Sequence, residues 1–166
     1  MPKQQPNRLI PELIPKDLWG RSAFQMLGRR TVRTKRIRPE AIARAGNRCE
    51  ICEERSERLV CHDKWSFDGK KSVATLICFE VHCSDCDLVT HFGRSMQYGD
   101  QNAVYQAAIA QLCKINNCSP AASHKILEEA IEVWIERSKK KWSVRVRPEL
   151  LEVYPELEGL PTFNLL

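Results

Sequence analysis

Cys49-Glu50-Ile51-Cys52, followed thirty residues later by Cys83-Ser84-Asp85-Cys86, is the stretch that decides the fold of this chain. Two Cys-x-x-Cys pairs can close a tetrahedral four-thiolate site, in which both sulfurs of a pair reach one ion at about 2.3 Å. Thiolates favour Zn²⁺ over Mg²⁺ or Ca²⁺, and an iron–sulfur cluster is the competing metal. A closed four-sulfur site holds the fold and performs no chemistry. We therefore predict a structural zinc bound by Cys49, Cys52, Cys83 and Cys86.

Length, composition and charge limit the class of protein. The chain has 166 residues, eight cysteines and a formal net charge of +5. One domain is the default at this length, and a middle section poor in apolar residues needs a metal to support it. The cysteine density is below that of disulfide-rich secreted scaffolds, and the first residues lack the apolar segment of a signal peptide. No apolar run approaches the roughly 18 residues of a membrane span. We expect a cytoplasmic or nuclear protein with reduced thiols and no membrane association.

Periodicity and turn signals predict an α+β fold in four parts. The first part is rich in proline and then basic, the second carries both Cys pairs, the third has helical periodicity, and prolines interrupt the last. The parts are an extended, partly flexible basic arm (1–35), a zinc-binding core (36–100), a helical pair packed on the core (101–147) and an irregular tail (148–166).

Local signals place the elements within these parts. A short helical piece precedes Gly28, and residues 39–45 form a helix that ends before Gly46. Strands at 58–62 and 73–81 are joined by a turn at Asp68-Gly69, and a further helix begins after Cys86. Asn116-Asn117 separates the two C-terminal helices, Ser119-Pro120 starts the second, and residues 142–146 alternate like a short strand.

A basic run at residues 29–38 contains six cationic side chains and no acid. Such a run is typical of a solvated surface, but here it leads directly into the metal-binding core, which is equally consistent with phosphate contact. The candidate nucleic-acid contacts are Arg29, Arg30, Arg33, Lys35, Arg36 and Arg38.

Three residues outside the cysteine pairs form a second candidate site. His62 ends the first strand-like segment, and Asp87 and His91 are four residues apart, so they share a face of a helix. Two imidazoles and a carboxylate can hold a divalent cation and leave positions open for water and phosphate. Phosphodiester hydrolysis needs such a cation and an imidazole that activates water. Taken singly, each residue also has an ordinary structural explanation, and spacing alone favours that explanation.

Three segments together resemble the zinc-containing HNH endonuclease family, in particular its small stand-alone bacterial and phage members. They are Gly46-Asn-Arg-Cys-Glu-Ile-Cys-Glu53, Leu59-Val-Cys-His-Asp-Lys-Trp-Ser-Phe-Asp68 and Cys83-Ser-Asp-Cys-Asp-Leu-Val-Thr-His-Phe-Gly93. The resemblance covers roughly residues 36–146. It implies a ββα-metal fold around a structural zinc, with metal-dependent nicking or cleavage of DNA. It also implies that His62 is the general base and that Asp87 and His91 bind the catalytic ion.

Asp87 departs from the pattern of this family, which has histidine directly after the second Cys pair. A carboxylate favours a harder ion such as Mg²⁺ or Mn²⁺, and it is equally consistent with a site that has lost activity. The strand before Cys83 also lacks the asparagine often found there, and alternation places His82 on the opposite face from Cys83. Asp63 is a candidate for orienting a histidine, and Trp65 is expected in the core beneath the Cys pairs.

The sequence supports three hypotheses of different classes. The first is an HNH-like endonuclease that hydrolyses DNA phosphodiester bonds, with structural Zn²⁺ and catalytic Mg²⁺, Mn²⁺ or another divalent ion. The second is a catalytically inactive zinc-ribbon module that binds nucleic acid or protein, and the third is a structural subunit. The remaining cysteines are expected to be small buried hydrophobic residues: Cys61, Cys78, Cys113 and Cys118. The sequence does not indicate the oligomeric state.

Overall fold

A three-stranded sheet flanked by helices forms the centre of this α+β protein, in a computed structural model that describes residues 8–21, 23 and 33–159. The strands are β1 (Leu59–Asp68), β2 (Val73–Cys83) and β3 (Ser143–Val146). The α-helices are α1 (Arg38–Arg44), α2 (Ser84–Thr90), α3 (Phe92–Ser95), α4 (Ala103–Asn116), α5 (Pro120–Ser138) and α6 (Pro148–Val153). None of the helices within the described residues is long and apolar enough to span a membrane.

The hairpin of β1 and β2 extends the two predicted strands to 10 and 11 residues. The predicted turn is confirmed, because Asp68 Oδ1 accepts hydrogen bonds from the backbone N–H groups of Lys70 and Lys71 at 2.9 and 3.0 Å. The predicted strand at 142–146 is also confirmed, and it pairs with β2 in the parallel direction.

The two faces of the hairpin differ in polarity. His62 pairs with Glu80, and Val60 with His82, so both histidines project from one face. A register shift after Lys64 brings Leu76 to the other, apolar face. This second face packs under α1 and α6 and forms a buried apolar cluster with them. From the sheet the cluster contains Leu59, Cys61, Leu76, Phe79 and Val81, and from the covering elements it contains Ile37, Ala41, Leu150, Tyr154 and Leu157. The polar face remains for the candidate site.

The helical pair α4 and α5 packs over the cysteine pairs, as predicted. This second apolar cluster contains Leu9, Cys49, Cys83, Cys86, Val89, Phe92, Ala108, Ile109, Leu112 and Leu127. Asn117 ends α4 in the left-handed region at φ 49°. The side chain of Ser119 then caps α5 by accepting a hydrogen bond from Ala122 N at 3.2 Å. The predicted break and restart are therefore confirmed.

The N-terminal segment, residues 8–21, has little regular structure but is fixed to the core. Leu9 and Leu18 are buried, and the N–H of Glu12 donates to Thr90 O at 2.8 Å. The side-chain amide of Asn116 bonds to both backbone groups of Leu9. This part of the predicted arm belongs to the core domain. The helical piece predicted before Gly28 lies outside the described residues.

Helix α2 begins earlier than predicted. We expected a helix after Cys86, but α2 starts at Ser84 and contains Cys86. Cys83 keeps an extended conformation (φ −72°, ψ 163°) and precedes the first helical residue. The second cysteine pair therefore spans the junction between β2 and α2. Helix α2 carries Cys86 and Asp87 on one rigid element, and His91 directly follows it.

The prediction of an irregular tail is wrong for residues 148–159. Pro148–Val153 forms α6 and Pro155–Gly159 forms a 3₁₀-helix, and both place apolar residues on the sheet. Each proline stands at the first residue of its helix, where its missing N–H costs nothing. The prolines therefore start helices here and do not interrupt them.

Candidate metal centres

The sulfur atoms of Cys49, Cys52, Cys83 and Cys86 lie within 4.8 Å of one another, in a cluster that can hold a metal ion such as zinc. The Sγ atoms of Cys52 and Cys83 are 3.8 Å apart. A tetrahedral ion with metal–sulfur distances of about 2.3 Å separates its ligands by about 3.8 Å, so the spacing fits the group. Three of the four cysteines are buried, and Cys52 is half-buried. The fold therefore brings together the four cysteines of the predicted metal site.

Hydrogen bonds favour negative charge at one thiol of this cluster, that of Cys49. The Cys86 thiol bonds to Cys49 and lowers the pKa of Cys49 to about 4, and backbone N–H groups of Cys52 and Cys83 act in the same direction. Burial raises the pKa of Cys52 to about 11. The side chain of Gln111 donates to Cys86 Sγ at 3.2 Å. Metal binding would then require the remaining thiols to release their protons.

His62, Asp87 and His91 also converge, and their ligand atoms lie within 4.8 Å of one another. His62 Nδ1 is 3.2 Å from His91 Nε2, which is 3.5 Å from Asp87 Oδ1. Two nitrogen ligands of one octahedral ion would be separated by about 3 Å. Asp87 Oδ1 is buried and has no hydrogen-bond partner among the described residues. An unpaired buried carboxylate oxygen and two facing imidazole nitrogens fit a divalent cation.

Glu12 contacts the ring nitrogen of His62 that does not face His91. Its Oε2 lies 3.2 Å from His62 Nε2, and its Oε1 accepts a hydrogen bond from Lys64. Burial would lower the pKa of His62, but the hydrogen bond and charge of Glu12 outweigh burial and raise it. Burial instead dominates at His91 and lowers its pKa. Glu12 thus fixes the proton of His62 on Nε2 and leaves Nδ1 directed towards His91.

A second carboxylate–histidine pair, Glu80 and His82, packs against the pair formed by Glu12 and His62. The ring of His82 stacks on His62 at a centroid distance of 4.8 Å and an interplanar angle of 22°. His82 Nε2 lies 3.2 Å from Glu80 Oε2, and this hydrogen bond is the main cause of the lowered pKa of Glu80. His82 is 1% exposed and does not belong to the metal-binding group. Its contacts are those of a residue that positions the His62 ring.

A cavity of about 530 Å³ opens beside His62 and His91. Its walls come from the N-terminal segment, the exposed edge of β1, α3 and α5. The described residues thus bring a possible metal site to the end of an accessible cavity, although the His62 side chain itself is buried.

The chain matches no protein-family model, no curated protein and no solved structure.

The described part of the basic run lies against the apolar face of the sheet, away from His62. Lys35 and Arg38 are exposed, and Arg38 donates to Leu59 O at 3.0 Å. The Arg36 guanidinium is bonded to Glu156 and to Val153 O within the fold. Arg29, Arg30 and the side chain of Arg33 lie outside the described residues. Contact between this run and nucleic acid stays a prediction.

Two predicted roles differ from the structure. Asp63 does not orient a histidine: its Oδ2 accepts hydrogen bonds from Trp65 Nε1 at 2.9 Å and Ala23 N at 3.0 Å. Alternation places it on the opposite face from His62. Trp65 is half-buried and packs against the apolar face of the sheet, not beneath the Cys pairs.

The remaining cysteines are only partly as predicted. Cys61 is buried in the core, whereas Cys78, Cys113 and Cys118 are half-buried. Burial raises the pKa of both Cys78 and Cys118, which favours the neutral thiol. At neutral pH the Cys78 and Cys118 thiols therefore stay protonated.

Sequence reasoning missed Glu12, Lys64, Glu80 and Gln111. Alternation alone could have placed Lys64 beside His62 and Glu80 beside His82, because the members of each pair are two positions apart in a strand. Glu12 is fifty positions from His62, and no local pattern indicates that contact.

Proposed function

We propose that the chain is an HNH-like endonuclease that hydrolyses phosphodiester bonds in DNA with the help of a second divalent ion. The observation that carries this proposal is the convergence of His62, Asp87 and His91 at the end of a cavity. The order of β1, β2 and α2 supports it, because the resemblance implies the same succession of two strands and a helix around the metal. The formal net charge of +5 suits a polyanionic substrate.

The cysteine cluster would hold Zn²⁺ in a structural role. Its four sulfurs complete a tetrahedral set and leave no position for a substrate. Cys49, Cys83 and Cys86 lie in the apolar cluster under α4 and α5, where a catalytic ion could not meet a polymer. The bound ion would fix the first Cys pair to the start of α2 and so fix the position of Asp87.

Asp87 and His91 would hold the catalytic divalent ion, Mg²⁺ or Mn²⁺. When bound, such an ion supplies charge stabilisation for the scissile phosphate and the leaving oxygen. The N–H of His91 donates to Asp87 O at 2.9 Å, so the backbone itself keeps both side chains on one face. The buried, unpaired Asp87 Oδ1 gains a partner when a cation binds.

In this proposal His62 is not an ion ligand: Asp87 and His91 hold the ion, and His62 Nδ1 keeps its lone pair to accept the proton of the attacking water. The hydrogen bond between Nε2 and Glu12 selects the tautomer in which Nδ1 carries the lone pair. The raised pKa of His62 makes its imidazole a stronger base. Stacking on His82 keeps the ring in place during proton transfer.

One observation favours a second candidate, a catalytically inactive zinc module that binds nucleic acid or protein. His62 is only 2% exposed, and both of its ring nitrogens already face protein atoms, Glu12 Oε2 and His91 Nε2. In such a module the histidines, Glu12 and Lys64 form a partly buried polar network whose role is to hold the N-terminal segment on the sheet.

Plasmid nicking separates these candidates. Wild-type protein and the variants His62→Ala and His124→Ala are incubated with supercoiled DNA and Mg²⁺, Mn²⁺ or Ni²⁺. His124 is the matched control, because it is an exposed histidine on α5 outside both centres. The endonuclease should lose cleavage only in His62→Ala, with zinc content and circular dichroism unchanged. If zinc-loaded wild type cuts with none of these ions, the proposed enzyme activity is rejected and the binding module is retained.

A further inference from the structure

The cavity beside His62 and His91 is lined by aromatic side chains. Trp19, Trp65, Phe67 and Trp134 all contribute to its wall, so three of the four tryptophans of the chain meet there. Trp19 and Trp134 are stacked with their planes 14° apart and their centroids 6.3 Å apart. Trp19 is 61% exposed. Much of the Trp19 side chain is therefore accessible from solvent.

The indole N–H groups of this wall are satisfied within the protein. Trp19 Nε1 and Trp134 Nε1 both donate to Ile14 O, at 2.9 and 3.0 Å, and Trp65 Nε1 donates to Asp63. The polar edges of the three rings are therefore occupied. What the cavity offers a ligand is ring surface, which suits a flat apolar or aromatic group.

Cations surround the aromatic wall. The ammonium group of Lys16 lies 5.3 Å from the Trp134 ring centre, and the Arg137 guanidinium lies 4.4 Å from that of Phe67. Arg94 lines the cavity and is exposed. Of the two acids in the wall, Glu12 is paired with Lys64, and the charge of Asp63 alone does not offset those of Lys16, Arg94 and Arg137. The ligand should therefore combine an aromatic group with negative charge.

We propose that this cavity binds an unpaired nucleobase of the DNA strand whose phosphate lies at His62 and His91. A volume of about 530 Å³ is within the range of small-ligand sites and accommodates one nucleotide unit. A base inside a duplex is already stacked on both sides and cannot enter. The preferred substrate is therefore single-stranded DNA, or a duplex with an unpaired base at the cleavage point. This inference rests on the proposed nuclease function, since it specifies the substrate of the same site.

The inference can be tested by binding without cleavage. Labelled single-stranded 12-mers of thymidylate, the same 12-mers with abasic central positions, and the matching duplex are titrated with protein that carries only its own zinc. Fluorescence anisotropy should show tighter binding of the thymidylate strand than of the abasic strand of equal charge. Trp19→Ala should weaken thymidylate binding roughly 5- to 100-fold and leave abasic binding unchanged. Tyr98→Ala is the matched control, because Tyr98 is 62% exposed and lies outside the cavity wall.

A second variant keeps the test informative if Trp19→Ala disturbs folding. Met96 lines the cavity and is 42% exposed, so Met96→Glu places a negative charge in it without removing core packing. It should also weaken thymidylate binding, whereas Val133→Glu, at an exposed position of α5 outside the wall, should not. Equal binding of thymidylate and abasic strands, or unchanged binding by both cavity variants, overturns the inference.

The two proposals fail in different ways. If the protein nicks plasmid in a His62-dependent manner but binds thymidylate and abasic strands equally, the nuclease stands and the base site is rejected. If base-dependent binding is observed but no ion supports cleavage, the nuclease is rejected and the cavity remains a nucleobase site of a binding module.

Discussion

Glu12 Oε2 lies 3.2 Å from His62 Nε2, across fifty positions of sequence. The contact joins a segment without regular structure to the polar face of the hairpin. The same carboxylate bonds to Lys64, and the backbone N–H of Glu12 bonds to the end of α2. A single residue therefore links the three elements that surround the candidate catalytic centre. Its loss should change the chemistry of His62 more than the stability of the fold.

Glu12→Gln should shift the pH dependence of cleavage. Glu12 raises the pKa of His62, whereas burial lowers it, so removing the charge leaves burial dominant and the pKa falls. In the proposed mechanism His62 acts as a base when neutral, and the pH–rate profile should therefore rise at lower pH than in wild type. The weaker base and looser ring should also lower the maximal rate roughly 10- to 100-fold. Histidine titration by NMR would report the pKa directly.

Glu54→Gln is the control for this change, because Glu54 forms a surface ion pair with Lys114 and lies outside the centre. It should leave both profile and rate unchanged. A Glu12→Gln variant with the wild-type profile would show that the Glu12 contact has no influence on the proposed base, His62.

Asp87→Asn should change the stability of the metal-free protein little and make the protein much less responsive to added metal. Asp87 Oδ1 is buried without a hydrogen-bond partner, but the amide of Asn keeps a polar atom at the same place, so the cost of burying it remains. Without added divalent ion, the free energy of unfolding should change by less than about 1 kcal/mol. With Mn²⁺ at about 100 times its dissociation constant, wild type should gain about 2.7 kcal/mol, and the variant should gain much less.

Asp85→Asn is the matched control, since Asp85 is an exposed residue of the same helix. Denaturant unfolding with and without Mn²⁺ measures both effects. Equal stabilisation of wild type and Asp87→Asn by Mn²⁺ would exclude Asp87 as a ligand.

Local patterns predicted most of the elements that frame the centres. The spacing of Cys49, Cys52, Cys83 and Cys86 identified the four-cysteine site, because a metal site imposes its geometry on nearby residues. Ser119-Pro120 and Asp68-Gly69 carry their own hydrogen-bonding chemistry, which acts over a few residues. The four-residue separation of Asp87 and His91 likewise needs only the helical repeat.

The parts that were missed depend on tertiary contacts. The register shift after Lys64 decides which residues of β2 share a face with His62, and no turn signal encodes it. Glu12 reaches His62 only because Leu9 and Leu18 dock the N-terminal segment. Pro148 and Pro155 predict an irregular tail when each proline is read as an interruption, although proline is equally suited to the first residue of a helix. Local composition was ambiguous there, and burial of Leu150 and Leu157 decided the outcome.

Cys86→Ser should remove zinc and unfold the core. Wild type should contain one zinc per chain, and the loss of one of four thiolates should release it together with cooperative unfolding. Cys118→Ser, the same substitution outside the cluster, should retain zinc and fold. Metal analysis after gel filtration and thermal unfolding would test this. Full zinc occupancy in Cys86→Ser, or loss of zinc in Cys118→Ser, would contradict the assignment.

Asp17→Asn should lower stability at neutral pH but not in acid. Asp17 is 6% exposed and accepts hydrogen bonds from Lys141 Nζ at 2.8 Å and Trp142 N at 2.9 Å. Burial would raise its pKa, but these two bonds outweigh burial and hold the pKa below the ordinary value of 3.8. A carboxyl with a depressed pKa stabilises the fold above its unfolded pKa, and this contribution is lost as the pH falls through the folded value. The variant should therefore be about 1–2 kcal/mol less stable at pH 7, with the difference shrinking below about pH 4.

Urea unfolding at pH 7, 5 and 3 measures this difference, and Glu136→Gln is the control because Glu136 pairs with Lys139 on the surface. The control should change the free energy of unfolding by less than about 0.5 kcal/mol at every pH. A stability difference for Asp17→Asn that is independent of pH would mean that the charge of Asp17 does not cause the loss of stability.

Asp17 lies five residues after Glu12, so the same bonds that anchor Trp142 also hold the segment that closes over His62. Asp17→Asn should consequently lower the pKa of His62 in the same direction as Glu12→Gln, but by less.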